Sequence, residues 1–285
     1  MTTLIADSGS TKTDWILIMG DGSVKDYKTV GINPTVGDRD IIIGTIAQQF
    51  APMINGITFN RIFFYGAGCT KQTKGIVEDC LKEVFPQADV EVDSDVLAAA
   101  RALCGHKEGL ACILGTGSNS CLYNGRNIAK HVSPLGYVLG DEGSGAVLGR
   151  DLVGDVLKRQ MPEDIVEDFF EETGLTEEEI IDRVYRKPMP NRFLASLVPF
   201  IQRHRRDSVI AERLVVNFRR FIRRNVLSYD RPDLPVNFIG GVANTFQEEI
   251  TVALHLEHLM LGRVDQSPRR GLITYHTTSA SEDIV

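Results

Sequence analysis

The stretch Leu4-Ile5-Ala6-Asp7-Ser8-Gly9-Ser10-Thr11-Lys12-Thr13-Asp14-Trp15-Ile16-Leu17-Ile18-Met19 decides how the chain is read. Two short apolar runs flank a polar octet, Asp7–Asp14. Each run has the length and content of a β-strand, so the octet reads as the turn of a hairpin. Its chemistry exceeds what a turn needs. Gly9 leaves the backbone open to close approach. Ser8, Ser10, Thr11 and Thr13 bring hydroxyls and main-chain N–H donors, and Lys12 brings a cation. Asp7 and Asp14 offer the oxygen ligands that Mg²⁺ prefers, directly or through its waters. Such a loop suits a phosphate group; a merely polar Ser/Gly turn is the competing reading. A Walker A loop is excluded, because that motif joins a strand to a helix and here a strand follows. No Gly-x-Gly-x-x-Gly occurs in the chain.

Composition narrows the class. The 285 residues suggest two domains or one large one. Hydrophobic content of 43% with 24% charged residues fits a soluble globular protein with a full core. The net charge of −7 argues against nucleic acid as a partner. Basic residues do cluster at 203–206 and 219–224, but among apolar residues at helical spacing, as on the wet face of a helix. Cys69, Cys80, Cys104, Cys112 and Cys121 make an odd number and form no Cys-x-x-Cys pair. Buried, reduced thiols and a cytoplasmic location are expected. The opening residues show no secretory leader, and no apolar run reaches the ~20 residues of a membrane span.

Further along, strands are expected at Val24–Val30, Arg61–Tyr65 and Val90–Val92, with helices at Asp40–Ile54, Lys74–Phe85 and Val96–Leu103. Asp93 or Ser94 is the expected N-cap of the last of these. Then the opening pattern returns. Leu110–Leu114 leads into Gly115-Thr116-Gly117-Ser118, Asn119–Tyr123 leads out, Asn124-Gly125 marks a tight turn, and Arg126–Lys130 forms a third strand. Strand, hydroxyl-rich glycine turn, strand, tight turn, strand: the unit occurs twice, which reads as an internal duplication. A helical segment follows, with helices near Gly145–Arg159, Glu163–Glu172, Glu177–Arg186, Arg192–Arg203 and Ser208–Leu227. Val236–Ile239 is then a strand running into Gly240-Gly241-Val242.

In this order the pieces resemble the sugar kinase–Hsp70–actin superfamily, and within it the N-acetylglucosamine kinase and BadF/BadG/BcrA-type ATPase branch. Asp7–Asp14 resembles the first phosphate motif, Gly115–Asn119 the second, and Gly240-Gly241-Val242 the adenosine motif. Gly140-Asp141-Glu142-Gly143-Ser144 matches a signature of that branch. The resemblance covers nearly the whole chain. It implies an α/β fold of two ribonuclease-H-like (actin-like ATPase) domains, residues 1–107 and 108–285. The second domain carries a helical insertion, and the tail packs back on the first. A cleft between the domains closes on substrate.

The resemblance also assigns roles. ATP is held by Gly9, Ser10, Thr11, Lys12, Thr13, Gly115, Thr116, Gly117, Gly240, Gly241 and Val242, with Mg²⁺ at Asp7. Asp95 is the base that accepts the proton of the acceptor hydroxyl, with Asp93 as the alternative if the register slips. A helix N-terminus is expected to keep Asp95 ionised at neutral pH. Asn33, Ser118, Asn119 and Asp141 contact the sugar, and Glu142 is either part of the site or a charge at a helix N-terminus. The function implied is an ATP-dependent kinase of an amino sugar, N-acetylglucosamine or a related N-acetylhexosamine, in a form that leaves room for a homodimer. Two alternatives stand beside it. One is an ATPase that activates a partner enzyme of the acyl-CoA dehydratase or reductase type, which needs cysteines gathered around an iron–sulfur cluster. The other is a non-catalytic sugar sensor, which ordinarily carries an added DNA-binding domain.

Overall fold

The computed structural model describes residues 2–9, 11–54 and 56–278. From the N-terminus come strands β1 (Thr3–Ser8), β2 (Lys12–Ile18) and β3 (Val24–Val30), helix α1 (Arg39–Gly44), β4 (Arg61–Gly66), α2 (Lys74–Val84), β5 (Asp89–Ser94) and α3 (Asp95–Cys104). Next are β6 (Glu108–Leu114), β7 (Ser118–Asn124), β8 (Ile128–His131), α4 (Gly136–Leu139), α5 (Gly145–Leu157), α6 (Glu163–Thr173), α7 (Glu177–Tyr185), α8 (Pro190–Ala195), α9 (Val198–Arg203) and α10 (Ser208–Arg224). The chain ends through β9 (Val236–Ile239), α11 (Gly241–Thr245), α12 (Gln247–Leu256), β10 (Leu261–Asp265) and α13 (Arg269–Thr277).

Two compact units result: residues 1–106 with the segment from Pro268 onward, and Lys107–Ser267. Each is built on a five-stranded sheet, in the orders β3-β2-β1-β4-β5 and β10-β9-β6-β7-β8. Three antiparallel strands are followed by two parallel ones in both, so β1 to β5 correspond one for one to β6 to β10. The duplication read from the two glycine turns is therefore a duplication of the whole sheet.

In the first unit, alternation along the strands sorts the core. Leu4, Ala6, Trp15 and Leu17 pack with Ile42, Phe50 and Leu81 on one face. Trp15 stacks on Phe50 with centroids 4.0 Å apart and donates its Nε1–H to Thr29. The opposite face carries Phe63 and Tyr65. His276 of α13 stacks on Phe63 at 3.9 Å and bonds the Tyr65 hydroxyl at 2.9 Å. Arg101 of α3 donates to that hydroxyl at 2.5 Å and to Glu91 at 2.8 Å. Gly271 lets α13 approach α3 closely, since a Cβ there would run into the backbone of Ala102. Neither α13 nor β10 is apparent from the sequence pattern.

Two expected helices are interrupted, the second of them at a proline. The segment 40–54 leaves α1 for a wider π turn at Thr45–Phe50 and a 3₁₀ turn at Ala51–Ile54, and Pro52 lacks the N–H that an α-helix would need there. The segment 192–203 divides into α8 and α9, because Pro199 cannot donate to the carbonyl four residues back. In the second unit α10 lays Ile210, Leu214, Phe218 and Phe221 into the core. Buried Asn237 ties β9 to both of its neighbours: its amide donates to the Leu110 carbonyl of β6 at 3.0 Å, and its oxygen accepts from the Arg263 N–H of β10 at 2.9 Å.

Candidate active site

In the first unit the parallel strands β1, β4 and β5 end in register at Ser8, Gly66 and Ser94. The C-terminal edge of a parallel sheet is where α/β proteins place their chemistry, and Asp95 is the next residue. Ser94 is the N-cap of α3, its hydroxyl accepting from the Leu97 N–H at 3.4 Å. Neither neighbouring aspartate caps the helix. Asp93 accepts from the Ser94 N–H at 3.0 Å and lies 3.6 Å from Lys74 Nζ, so its charge is matched. Asp95 has no cation beside it among the described residues. Burial pushes its carboxyl above the usual range, while the N–H groups of Val96 and of Asp95 itself pull the other way. The helix N-terminus expected to keep it acidic is present, but desolvation is the larger influence.

Asp7 on β1 is the companion carboxyl. Its pKa is raised to about 7, first by burial, then by Asp95 and by Asp14 across the strand pair, with Lys12 opposing. Asp14 is paired to Lys12 at 2.6 Å, and Asp7 has no such partner among the described residues. The hairpin turn is narrower than the octet, since Asp7, Ser8 and Lys12–Asp14 belong to the strands. Gly9 donates its N–H to the Lys12 carbonyl at 3.0 Å, closing the turn. The Ser8 and Thr13 hydroxyls are buried and bond each other at 2.7 Å. The Ile32 carbonyl is 2.9 Å from Ser8 Oγ and the Val30 carbonyl 3.1 Å from Thr13 Oγ1, so the two hydroxyl protons are shared among these three contacts. Thr13 thus holds the hairpin through its side chain, whereas Gly9, Thr11 and Lys12 are exposed. Ser10 lies outside the described residues.

The Asn33 loop folds onto the same edge. Asn33 Oδ1 accepts from the Thr35 N–H at 2.9 Å, an Asx turn. Gly68 has a φ of +78°, and a Cβ there would collide with Asn33 and Thr35. Cys69 lies beside the carboxylates; burial first, then Asp95 and Asp93, pushes its thiol up to about 12, which leaves it protonated and unreactive.

The second unit works through backbone. Gly115 donates its N–H to the Gly117 carbonyl at 2.9 Å. The first N–H groups of α5, from Gly145 and Ala146, donate to the carbonyls of Gly115 and Thr116 at 2.8 and 3.1 Å. Gly240, with φ +121°, lies against Leu114 and Gly115 so closely that a Cβ would overlap their backbone. The two glycine motifs, more than a hundred residues apart in sequence, are thus in contact. Asp141 closes this arrangement from the third side. It holds φ +53°, accepts from the Ser118 N–H at 3.3 Å, and would meet a Gly117 Cβ at 3.1 Å. Burial raises its pKa to about 6, with the Ser118 bond opposing and Glu142 adding to the rise. Glu142 is buried and paired to Arg224 at 2.8 Å, so its charge anchors α10. Gly143 donates its N–H to Asn217 at 2.8 Å. Val242 is buried in the first turn of α11, and Gly241 is open on its outer side.

A solved structure described as a provisional N-acetylglucosamine kinase from Porphyromonas gingivalis is 50% identical, over 96% of this chain and 98% of that one, with a TM-score of 0.92. The chain belongs to the N-acetylglucosamine kinase-like family. More distant structures share the fold. One is another provisional N-acetylglucosamine kinase, from Chromobacterium violaceum, at 18% identity and TM-score 0.75, covering 96% of this chain and 98% of that one. A hexokinase from Schistosoma mansoni, complexed with glucose, matches at 12% identity and TM-score 0.51, over 98% of this chain and 85% of that one. No family model matches the chain, and a search of the curated proteins finds no match.

Within this N-acetylglucosamine kinase-like chain, each unit gathers its own share of the predicted residues. Asp7, Gly9, Thr11, Lys12, Thr13, Asn33 and Asp95 belong to the first unit; Gly115–Asn119, Asp141 and Gly240–Val242 belong to the second. Sequence reasoning missed Gly68, which makes room for the Asn33 loop, and Arg224, which neutralises Glu142. It also missed His131, which bonds Asn119 at 2.8 Å. A basic residue one heptad beyond Asn217 on α10 was the available signal for Arg224; no local signal marked His131.

Proposed function

We propose that the protein is an ATP-dependent kinase of an amino sugar, with N-acetylglucosamine or a related N-acetylhexosamine as acceptor. The observation that carries this reading is the contrast between the two aspartates that flank Ser94. Asp93 is paired to Lys74, and Asp95 has no cation beside it among the described residues, with its pKa raised. A base that must take a proton from a hydroxyl works best when its pKa approaches the working pH. In the proposed reaction the acceptor hydroxyl gives its proton to Asp95 as its oxygen bonds the γ-phosphorus, the bond to the β-phosphate oxygen breaks, and ADP leaves. The exposed N–H groups of the first hairpin and the glycine backbone of the second bind phosphate oxygens, and Gly240–Gly241 give the nucleotide bare backbone to lie on. Asn33, Ser118, Asn119 and Asp141 orient the sugar.

Mg²⁺ fits the residues present. Asp7 is half-buried, lacks a cation partner among the described residues and is raised by desolvation to about 7, so a divalent ion would relieve an unfavourable carboxylate. When bound it would supply charge neutralisation at the terminal phosphates. Asp7 would hold it directly or through water.

The test compares Asp95→Asn with Asp93→Asn. Asp95→Asn is expected to lower turnover by roughly 10²–10⁴-fold while calorimetry shows nearly unchanged ATP affinity. Asp93→Asn should retain most activity. Wild-type turnover by Asp95→Asn, with an inactive but folded Asp93→Asn, would move the base to Asp93. Activity in both would remove this carboxylate edge from the chemistry and make Asp141 the next candidate.

A further inference from the structure

Asn119 on β7 is held in one orientation by contacts that the fold does not require. Its Oδ1 accepts from the Ser120 N–H at 2.9 Å and is 2.8 Å from Nε2 of His131 on β8. Strand register explains the meeting. Cys121 pairs with His131; Asn119, two residues earlier, shares the face of Cys121, so His131 is its diagonal neighbour, within reach of a long side chain. The end of β8 is fixed as well. The Val132 N–H donates to the Tyr229 hydroxyl at 3.2 Å, and that hydroxyl bonds Ser120 Oγ at 2.7 Å.

The donors settle both groups. A backbone N–H only donates, so the amide atom facing Ser120 is the oxygen; turning the amide would set N–H against N–H. His131 Nε2 therefore faces an acceptor and carries the proton. Two donors occupy the two lone pairs of Oδ1. The NH₂ is the end left over, and it has no hydrogen-bond partner among the described residues. Asn119 is partly exposed, one residue beyond the Ser118 whose N–H meets Asp141.

We infer that His131 is a positioning residue: it locks the Asn119 amide so that the NH₂ is presented as a donor to an acceptor oxygen of the sugar. The inference rests on the sugar-kinase reading. A neutral, rigid donor suits a hydroxyl or acyl oxygen, and a site built around such a bond discriminates against acceptors that lack the oxygen.

Steady-state kinetics with N-acetylglucosamine tests this on wild type, Asn119→Ala, His131→Ala, His131→Gln and the double alanine variant, each checked by thermal melting. Asn119→Ala should raise the sugar KM by about 10–100-fold. His131→Ala should raise it about 3–10-fold, with kcat and the KM for ATP within about twofold, since only substrate binding loses its orientation. His131→Gln should restore the KM to within about twofold, because its NH₂ donates in place of Nε2–H. The double variant should match Asn119→Ala alone, as expected for residues acting through one contact. In parallel, long-range ¹H–¹⁵N NMR should show the His131 ring protonated at Nε2. An unchanged sugar KM in His131→Ala beside a defective Asn119→Ala overturns the inference and leaves the kinase reading intact, as does an Nδ1–H ring. If wild type phosphorylates no amino sugar, the reading and the inference fail together, with a distinct signature.

Discussion

The two glycine hairpins hold the same position in two duplicated sheets, one in each unit, yet they are built for different work. β1–β2 carries charge: Asp7, Lys12 and Asp14 stand on its strands, and buried Ser8 and Thr13 hydroxyls lock its backbone. The β6–β7 turn, Gly115–Ser118, carries no charged side chain. It is shaped by close backbone approach, with Gly240 against Leu114 and Gly115, the α5 N–H groups on its carbonyls, and Asp141 supplied from outside. Duplication fixed the scaffold and left each copy to divide the functions of charge and shape.

The largest expected effect that separates the two is at Asp7. Asp7→Ala should weaken Mg·ATP binding by about 10–100-fold, read by calorimetry at matched Mg²⁺. Gly117→Val should weaken nucleotide binding by roughly tenfold, a steric effect, since the new side chain would press on Asp141 where the turn now lies open. An effect of Gly117→Val that vanished without Mg²⁺ would contradict this division, because shape does not depend on the metal.

Titration sharpens the contrast. Asp7 has a folded pKa of about 7 against an ordinary value of 3.8, so its contribution to stability is present below about 4 and is lost as pH rises through 7. Asp7→Asn should therefore melt progressively higher than wild type as pH goes from 5 to 8, with the difference largest at pH 8. The difference between the two proteins is the quantity to follow. Burial lowers His276 to about 3, so below its ordinary value of 6.5 that ring destabilises both proteins equally as pH falls. A constant offset across this range would mean that Asp7 is not desolvated. The smallest effect is at Thr13: Thr13→Val should cost about 1 kcal/mol of stability and leave ATP affinity within about twofold. A large loss of ATP affinity without loss of stability would turn Thr13 into a nucleotide ligand.

Much of this was legible from period and punctuation. Strands with alternating apolar residues and glycine turns located β1–β3, β6, β7 and β9, and the repeated turn exposed the duplication. Helix limits were less legible at Gly44 and Pro199, because the apolar pattern continues past both, and at Pro199 past the residue that breaks the hydrogen bonding. β10 and α13 escaped because neither has a strong face. Leu261–Asp265 is half-buried except at exposed Arg263, and α13 buries only Gly271 and Leu272. The distinction between Asp93 and Asp95 needs Lys74, nineteen residues before Asp93, and His131 needs a strand register that shifts between Leu122 and Tyr123. Those are facts of packing that no local window contains.

The most direct test of the account follows the phosphate itself. Wild-type protein is incubated with Mg²⁺, ATP labelled in the γ-phosphate and N-acetylglucosamine, and label is measured on sugar and in free phosphate as ADP appears. The account predicts that ADP formation depends on the sugar and that the label leaves ATP for the sugar in a ratio close to one per ADP. Label released as inorganic phosphate at the same rate with or without any amino sugar would contradict it.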